Sequence, residues 1–359
     1  MIVLFSSNID GGILQFEIQL LAEIKRFGEK CCAFIPEGAN VTIPSEIKED
    51  VRFYRKFKTL RNNGRDIKNL LGELFSVKPA VIWYLDASIL SSQLCSNIRG
   101  RVIQYITIHD PNGLHPTNHI SIKDRLKKRY EYLMLRRSMV AADRIYLLSP
   151  ESYRTYTKLF PQFRKKADTF ILGAHVPDIV GREPLELKSI RIPYFLFFGR
   201  IDKYKGIATL LKAYSKLEEP KLPLVIAGKG NFTQEERALA ESLAGILLLN
   251  RYIGDDEMVW LFEHAAAVVL PYIEASQSGI IPIAYKFSVP VIASDITGLV
   301  QFIEDKKSGF ICKEEVQYKI ALEKMLNPIT REIMGGYAKE YYLTNMDWCN
   351  SLDKIIQRL

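Results

Sequence analysis

The chain has 359 residues, 48% hydrophobic and 25% charged, with a formal charge of +8 and a pI near 9.0. That length exceeds what one core organises and points to two domains, while no apolar run approaches the roughly 20 residues of a membrane-spanning helix. The cation excess favours acidic partners, and five cysteines (Cys31, Cys32, Cys95, Cys312, Cys349) with no C-x-x-C or zinc spacing read as reduced thiols of a cytoplasmic protein.

Apolar runs alternate with helical patterns from the amino terminus onward. Ile2–Phe5 reads as a strand, without the basic leader and longer apolar core of a signal peptide. It ends in Asn8-Ile9-Asp10-Gly11-Gly12 and opens a helix over Ile13–Phe27, with Leu14, Ile18, Leu21 and Ile24 on one stripe. Paired glycines allow close approach of a ligand at a helix amino terminus, or simply a tight turn. They are not the G-x-G-x-x-G of dinucleotide binders, which removes the main support for a dehydrogenase. Cys31–Ile35, Val81–Leu85, Val102–Ile106 and Arg144–Leu148 read as further strands.

The strand ending at Ile106 runs into His109-Asp110-Pro111, with His115-Pro116 shortly after. A neutral imidazole at a strand's carboxyl end can bond a sugar hydroxyl or position a proton; a structural His and a capping Asp give the same letters. Lys123–Arg137 is the richest basic segment, with Ile122, Leu126, Tyr130 and Leu133 on one helical face. It reads as the solvated side of a packed helix or as a docking face for anionic membrane. No helix-turn-helix, zinc finger or aromatic RNA-binding signature accompanies the charge, so no nucleic-acid partner is expected.

Ile171–Pro193 loses the alternation and reads as a linker. Strand Tyr194–Phe198 then leads through Gly199-Arg200-Ile201-Asp202-Lys203-Tyr204-Lys205-Gly206 into a helix. Ligands bind beyond the carboxyl ends of strands in parallel sheets, and Arg200 and Lys205 there can neutralise a diphosphate, unless they are only solvated loop cations. Strand Leu224–Ala227 ends in Gly228-Lys229-Gly230, either a plain turn or a point of close approach for a base or phosphate. Leu247–Leu249 and Ala267–Leu270 are strands flanking a helix over Asp255–His264. The segment Glu274-Ala275-Ser276-Gln277-Ser278-Gly279 enters an apolar run as a helix amino terminus would. Ser276 could be an ordinary N-cap; the neighbouring cations favour an anion site at Ser276, Ser278 and Gly279. Val289–Ala293 is another strand, and a last helix runs from about Trp348 to Leu359.

In their order, these motifs resemble glycosyltransferase family 4, most tightly over Phe195–Gly309. The family's G-R-x-x-x-x-K-G stands as Gly199 to Gly206, its strand-end glycine loop as Gly228 to Gly230, and its base-flanking segment as Arg251-Tyr252-Ile253-Gly254. Its E-x7-E positions fall on Ala275 and Ile283, with Glu274 beside the first, a pattern like a subgroup in which serines and glycine line the donor phosphates. The resemblance implies an α/β GT-B fold, two Rossmann-like domains across a cleft. The expected domains are residues 1–180 and 181–342, with a helix at about 343–359 returning to the first. It further implies a retaining transfer from a UDP- or GDP-linked sugar to a saccharide or lipid-linked saccharide acceptor. In that scheme His109, Asp110 and Glu274 are catalytic. Arg200, Lys205, Ser276, Ser278 and Gly279 bind donor phosphate, and Gly228, Lys229, Tyr252 and Ile253 bind the nucleotide. Gly11 and Gly12 form the glycine turn. Neither metal nor other cofactor is expected, and the place of work is the cytoplasm or the inner membrane face. A nucleotide-sugar epimerase or phosphorylase, or a non-catalytic nucleotide-sugar binder, would use the same fold. Glycoside hydrolysis lacks its paired carboxylates.

Overall fold

The computed structural model describes the chain except residues 10–11, 56–63, 112–121, 175, 177–178, 189, 191–192, 276 and 358–359; for 122–128 only the backbone is described. Contacts divide it into two units, Met1–Ile171 with Leu352–Leu359, and Leu172–Ser351. The division thus falls at Ile171 rather than 180. The segment after it packs inside the second unit, where a Cβ on Gly173 would sit 2.5 Å from the Trp348 ring and Trp348 Nε1–H donates to the Ala174 carbonyl at 3.1 Å.

The first unit runs β1 (Ile2–Phe5), α1 (Gly12–Arg26), β2 (Cys31–Pro36), β3 (Val51–Tyr54), α2 (Gly64–Ser76), β4 (Val81–Tyr84) and α3 (Ile89–Asn97). It continues with β5 (Ile103–Ile108), α4 (Ile122–Ala141), β6 (Arg144–Leu147), α5 (Pro150–Leu159) and β7 (Ala167–Thr169). The sheet is parallel, in the order β3-β2-β1-β4-β5-β6-β7. β1, β2 and β4 are buried along their whole length, which is why they read as unbroken apolar runs. β3 is an edge strand with Arg52 and Phe53 exposed, so no such run announces it. On α1 the stripe Leu14, Ile18, Leu21 and Ile24 is buried as its periodicity predicts, each contributing roughly 1.5–3 kcal/mol. The strand order reverses between β1 and β4, so the loops after β1, β4 and β5 share one crevice edge.

The face expected for the basic helix needs correction. Leu133 is exposed, and the side turned inward carries Met134, Ser138 and Ala141, with Tyr130 half-buried. The side chains of Ile122 and Leu126 lie outside the described residues.

The second unit runs β8 (Tyr194–Phe198), α6 (Ile207–Ser215), β9 (Leu224–Ala227), α7 (Gln234–Ser242), β10 (Ile246–Leu249), α8 (Asp255–Glu263) and β11 (Ala265–Leu270). It continues with α9 (Ile280–Lys286), β12 (Val291–Ser294), α10 (Thr297–Val300), β13 (Gly309–Cys312), α11 (Glu315–Lys324) and α12 (Pro328–Tyr341). Its parallel sheet has the order β10-β9-β8-β11-β12-β13, again reversing beside the unit's first strand. The final helix, α13 (Trp348–Ile356), starts in the second unit and ends in the first.

Candidate functional site

The loops after β8, β9 and β11 meet at the carboxyl edge of the second sheet. Gly199 N–H donates to the Ala227 carbonyl at 3.0 Å, and Asn231 N–H to the Ile201 carbonyl at 3.1 Å, which lays the β8 loop along the β9 loop. The approach is so close that a Cβ on Gly228, at φ +145°, would lie 1.9 Å from the Gly199 carbonyl oxygen. Gly206 is left-handed, at φ +65°, and a Cβ there would lie 1.9 Å from the Pro271 carbonyl oxygen. Only glycine satisfies either position. Ile273 N–H donates to the Tyr204 carbonyl at 2.8 Å, so the β11 loop is tied to the 3-10 turn Lys203–Lys205.

This framework brings Arg200 and Lys205 together. Arg200 is exposed. The Lys205 ammonium sits 3.5 Å from the centroid of the Tyr272 ring and 5.0 Å from that of Tyr204. Burial, reinforced by the Arg200 guanidinium, pushes its pKa down to about 8. Two like charges held together with one partly desolvated form a site that an anion relieves. Glu274 is exposed on the same edge, close enough to Tyr204 for its charge to help raise the phenol's pKa, after the larger effect of burial. Ser278 is buried, and its Oγ accepts from Ile280 N–H at 3.3 Å; Gly279 is the exposed cap of the seven-residue α9. Ser276 lies outside the described residues.

Beyond β10 the nucleotide-binding candidates split. Gly230 N–H donates to Asn250 Oδ1 at 3.1 Å, so the glycine loop abuts this segment. Tyr252 is 64% exposed and Lys229 is exposed, whereas Ile253 is buried. Arg251 is committed to structure: it makes paired bonds to Glu186 at 2.8 and 3.0 Å and to the buried Glu257 at 2.6 and 3.0 Å.

His109, Asp110 and Gly12 belong to the first unit. His109 follows β5, half-buried, with Nε2 2.8 Å from the Leu85 carbonyl. A ring nitrogen facing a carbonyl must carry the proton. Burial lowers the pKa, so at neutral pH Nδ1 keeps its lone pair as an acceptor. Gly12 opens α1, while Gly11, His115 and Pro116 lie outside the described residues.

Sequence reasoning passed over two contributors. Asp86, buried after β4, accepts from Ser7 N–H at 2.7 Å, Ser7 Oγ at 2.8 Å and Asn8 Nδ2 at 2.9 Å, and also from Ser91 Oγ, so it fixes the loop after β1. Its partners Ser7 and Asn8 lie 79 and 78 positions earlier in the chain, a separation that local spacing does not reveal. Tyr272 forms the floor beneath Lys205, a contact between loops far apart in the chain that local spacing does not reveal. Among the described residues, no cluster of three or more His, Cys, Asp or Glu could hold a metal ion.

With this geometry in place, residues 186–341 match the family model of Glycosyl transferases group 1. Over that stretch the chain is similar to glycosyltransferases. It is 30% identical over 130 residues to glycogen synthase of Thermus thermophilus, covering 35% of this chain and 29% of that protein. It is 28% identical over 157 residues to GDP-mannose:glycolipid 4-beta-D-mannosyltransferase of Xanthomonas campestris, covering 43% and 44%. The match therefore spans less than half the length of either relative. In structure it is similar to Anabaena HepE, solved with UDP-glucose, at a TM-score of 0.74 and 13% identity over 99% of this chain and 98% of that one. The fold is GT-B.

Proposed function

We propose that the chain is a retaining glycosyltransferase of family 4. It takes a sugar from a UDP- or GDP-linked donor and adds it to a hydroxyl of a saccharide or glycolipid. The observation that carries the reading is the pairing of Arg200 with the partly desolvated Lys205 among glycines that admit a ligand to the backbone. HepE was solved with UDP-glucose, and the Xanthomonas relative is named for GDP-mannose and a glycolipid; both support a nucleotide-sugar donor here.

In this mechanism Arg200 and Lys205 hold the diphosphate and stabilise the charge that grows on it as the glycosidic bond breaks. They do so in place of a divalent metal. Backbone around Ser278 and Gly279 adds hydrogen bonds, and Gly228 and Lys229 border the nucleoside with Tyr252. The bound donor draws Lys205 fully into its charged form, since a nearby anion raises an ammonium pKa. His109, through its Nδ1 acceptor, and Asp110 orient sugar or acceptor hydroxyls, and Glu274 contacts the donor sugar. Retention follows if the acceptor attacks on the face the nucleotide leaves.

Calorimetry with UDP, GDP and their common sugar conjugates is the first test, followed by transfer from radiolabelled donors in EDTA. Binding of at least one donor, lost in Arg200→Ala and in Lys205→Ala, and transfer that survives EDTA are expected. No binding by any donor defeats the proposal. Tight binding with neither transfer nor hydrolysis would instead mark a non-catalytic binder, a reading favoured by the apolar Ile283 at the second position of the E-x7-E pattern of the family it resembles.

A further inference from the structure

We propose that the outward face of α4, with the adjoining end of α5, is a docking surface for an anionic lipid bilayer. The proposal stands apart from the sugar-transfer reading. Six side chains are exposed on the described part of α4: Arg129, Tyr132, Leu133, Arg136, Arg137 and Val140. At 100° per residue they fall within an arc of roughly 140°. Three are cations, three are apolar or aromatic, and none is acidic. Leu133 is 54% exposed, Tyr132 49% and Val140 41%, in the same arc as the arginines. A helix that faced only water would have no use for that mixture.

The patch continues onto the next element. Tyr132 packs against Phe160 with ring centroids 6.1 Å apart, which sets the end of α5 beside α4. Leu159 there is 50% exposed and stands next to the exposed Lys158. The following 3-10 turn, Pro161–Lys166, is fastened to the carboxyl end of α4, where Lys166 Nζ donates to the Val140 carbonyl at 3.0 Å and the Ala142 carbonyl at 2.6 Å. That turn adds Arg164 and Lys165, both exposed. On α4 itself Glu131 is half-buried and falls outside that arc; beyond the helix, Asp143 accepts from Gln104 N–H at 2.8 Å, and Glu151 pairs with Arg154 at 3.4 Å.

Charge complementarity selects an anionic partner, and the interleaved aliphatic side chains select among anionic partners. A nucleic acid or acidic peptide would satisfy the cations but leave Leu133, Val140 and Leu159 in water. The headgroup and upper acyl region of a bilayer takes both, with the helix lying in the interface plane. No helix among the described residues is long and apolar enough to cross a membrane, so the contact is peripheral.

Flotation of the full chain with phosphatidylcholine vesicles, with and without phosphatidylglycerol, tests this. Binding is expected only with the anionic lipid, and should weaken as salt rises. Combined Arg136→Glu and Arg137→Glu should lower partitioning by at least 30-fold, given about 1 kcal/mol per cation at such a surface. Combined Leu133→Ser and Val140→Ser leaves the charge intact and should cost about tenfold. Circular dichroism of each variant confirms folding, which exposed positions leave unaffected. No binding to anionic vesicles, or equal binding to neutral ones, overturns the proposal. So does wild-type vesicle affinity in the serine variant together with tight RNA or DNA binding lost only in the arginine variant, which would identify a nucleic-acid surface.

Discussion

Lys205 shows how a binding residue burdens the unliganded protein. Its ammonium is held beside Arg200 and away from water, and titrates at about 8 instead of 10.5. Below about pH 8 both folded and unfolded chains carry the proton, and the folded state bears the full cost of burying it. Between about 8 and 10.5 the folded chain sheds the proton while the unfolded chain keeps it, so stability rises with pH in that window. Contact with the Tyr272 ring offsets part of the cost. Lys205→Met should therefore stabilise the unliganded protein at pH 7 by roughly 1–2 kcal/mol and flatten the pH dependence above 8. Urea denaturation across pH checks both. The same titration predicts that nucleotide diphosphate affinity falls as pH rises through 8 in the wild type, a trend that Lys205→Met should lack along with most of the affinity. Gly206 makes the complementary point about backbone. A methyl group there meets a carbonyl oxygen that cannot move aside, and the left-handed φ adds strain, so Gly206→Ala should cost roughly 3 kcal/mol. Gly279 has open space where a Cβ would stand, and Gly279→Ala should change stability by less than about 0.5 kcal/mol.

At the scale of elements, β1 and α1 are joined by a buried carboxyl that the helical stripe does not announce. Glu17 is fully buried; Ser6 Oγ donates to its Oε2 at 2.5 Å, and its Oε1 has no hydrogen-bond partner among the described residues. Burial first, and the Asp86 charge to a lesser degree, raise its pKa well above the ordinary carboxylate value. As pH climbs past the unfolded value of about 4.5 the unfolded chain loses a proton that the folded chain retains, so stability declines with rising pH. Glu17→Gln removes that drain and should stabilise the protein at pH 7 by roughly 1–3 kcal/mol, with no loss at pH 4, as denaturation at the two pH values would show. The same pairing of elements explains what the sequence reveals. β1, β4, β8 and β9 are legible because burial on both faces writes an apolar run. β3 is hidden by its exposed Arg52, and β7 by its three-residue length. On α4, Leu133 and Met134 are both apolar and one position apart, and only the packed sheet decides that Met134 turns inward. Arg200 and Lys205 are legible because a strand, a glycine and a helix follow one another in the chain. Tyr272 under Lys205 and Asp86 under Ser7 are contacts across loops, and no spacing records them.

On the scale of the whole molecule, the chain builds two parallel sheets with the same strand logic, each around its own core, and then sends α13 from the second back into the first. Leu352 and Ile355 on that helix are buried, and the chain from Leu352 onward groups with the first unit although it is reached through the second. Separate cores permit separate cooperative transitions. The proposed nucleotide contacts all come from the second unit: Arg200, Lys205, Gly228, Lys229, Tyr252 and the segment ending at Gly279. Whichever of UDP and GDP binds should therefore stabilise that unit by linkage, by roughly 2.7 kcal/mol at a hundredfold excess over Kd. Hydrogen exchange read by mass spectrometry resolves where the stabilisation falls. Slowed exchange is expected in peptides from β8, β9 and β11, with peptides from β1, β4 and β5 unchanged by free nucleotide. Protection confined to the first unit would place the nucleotide at the Asp86 and His109 loops and reverse the roles of the two sheets.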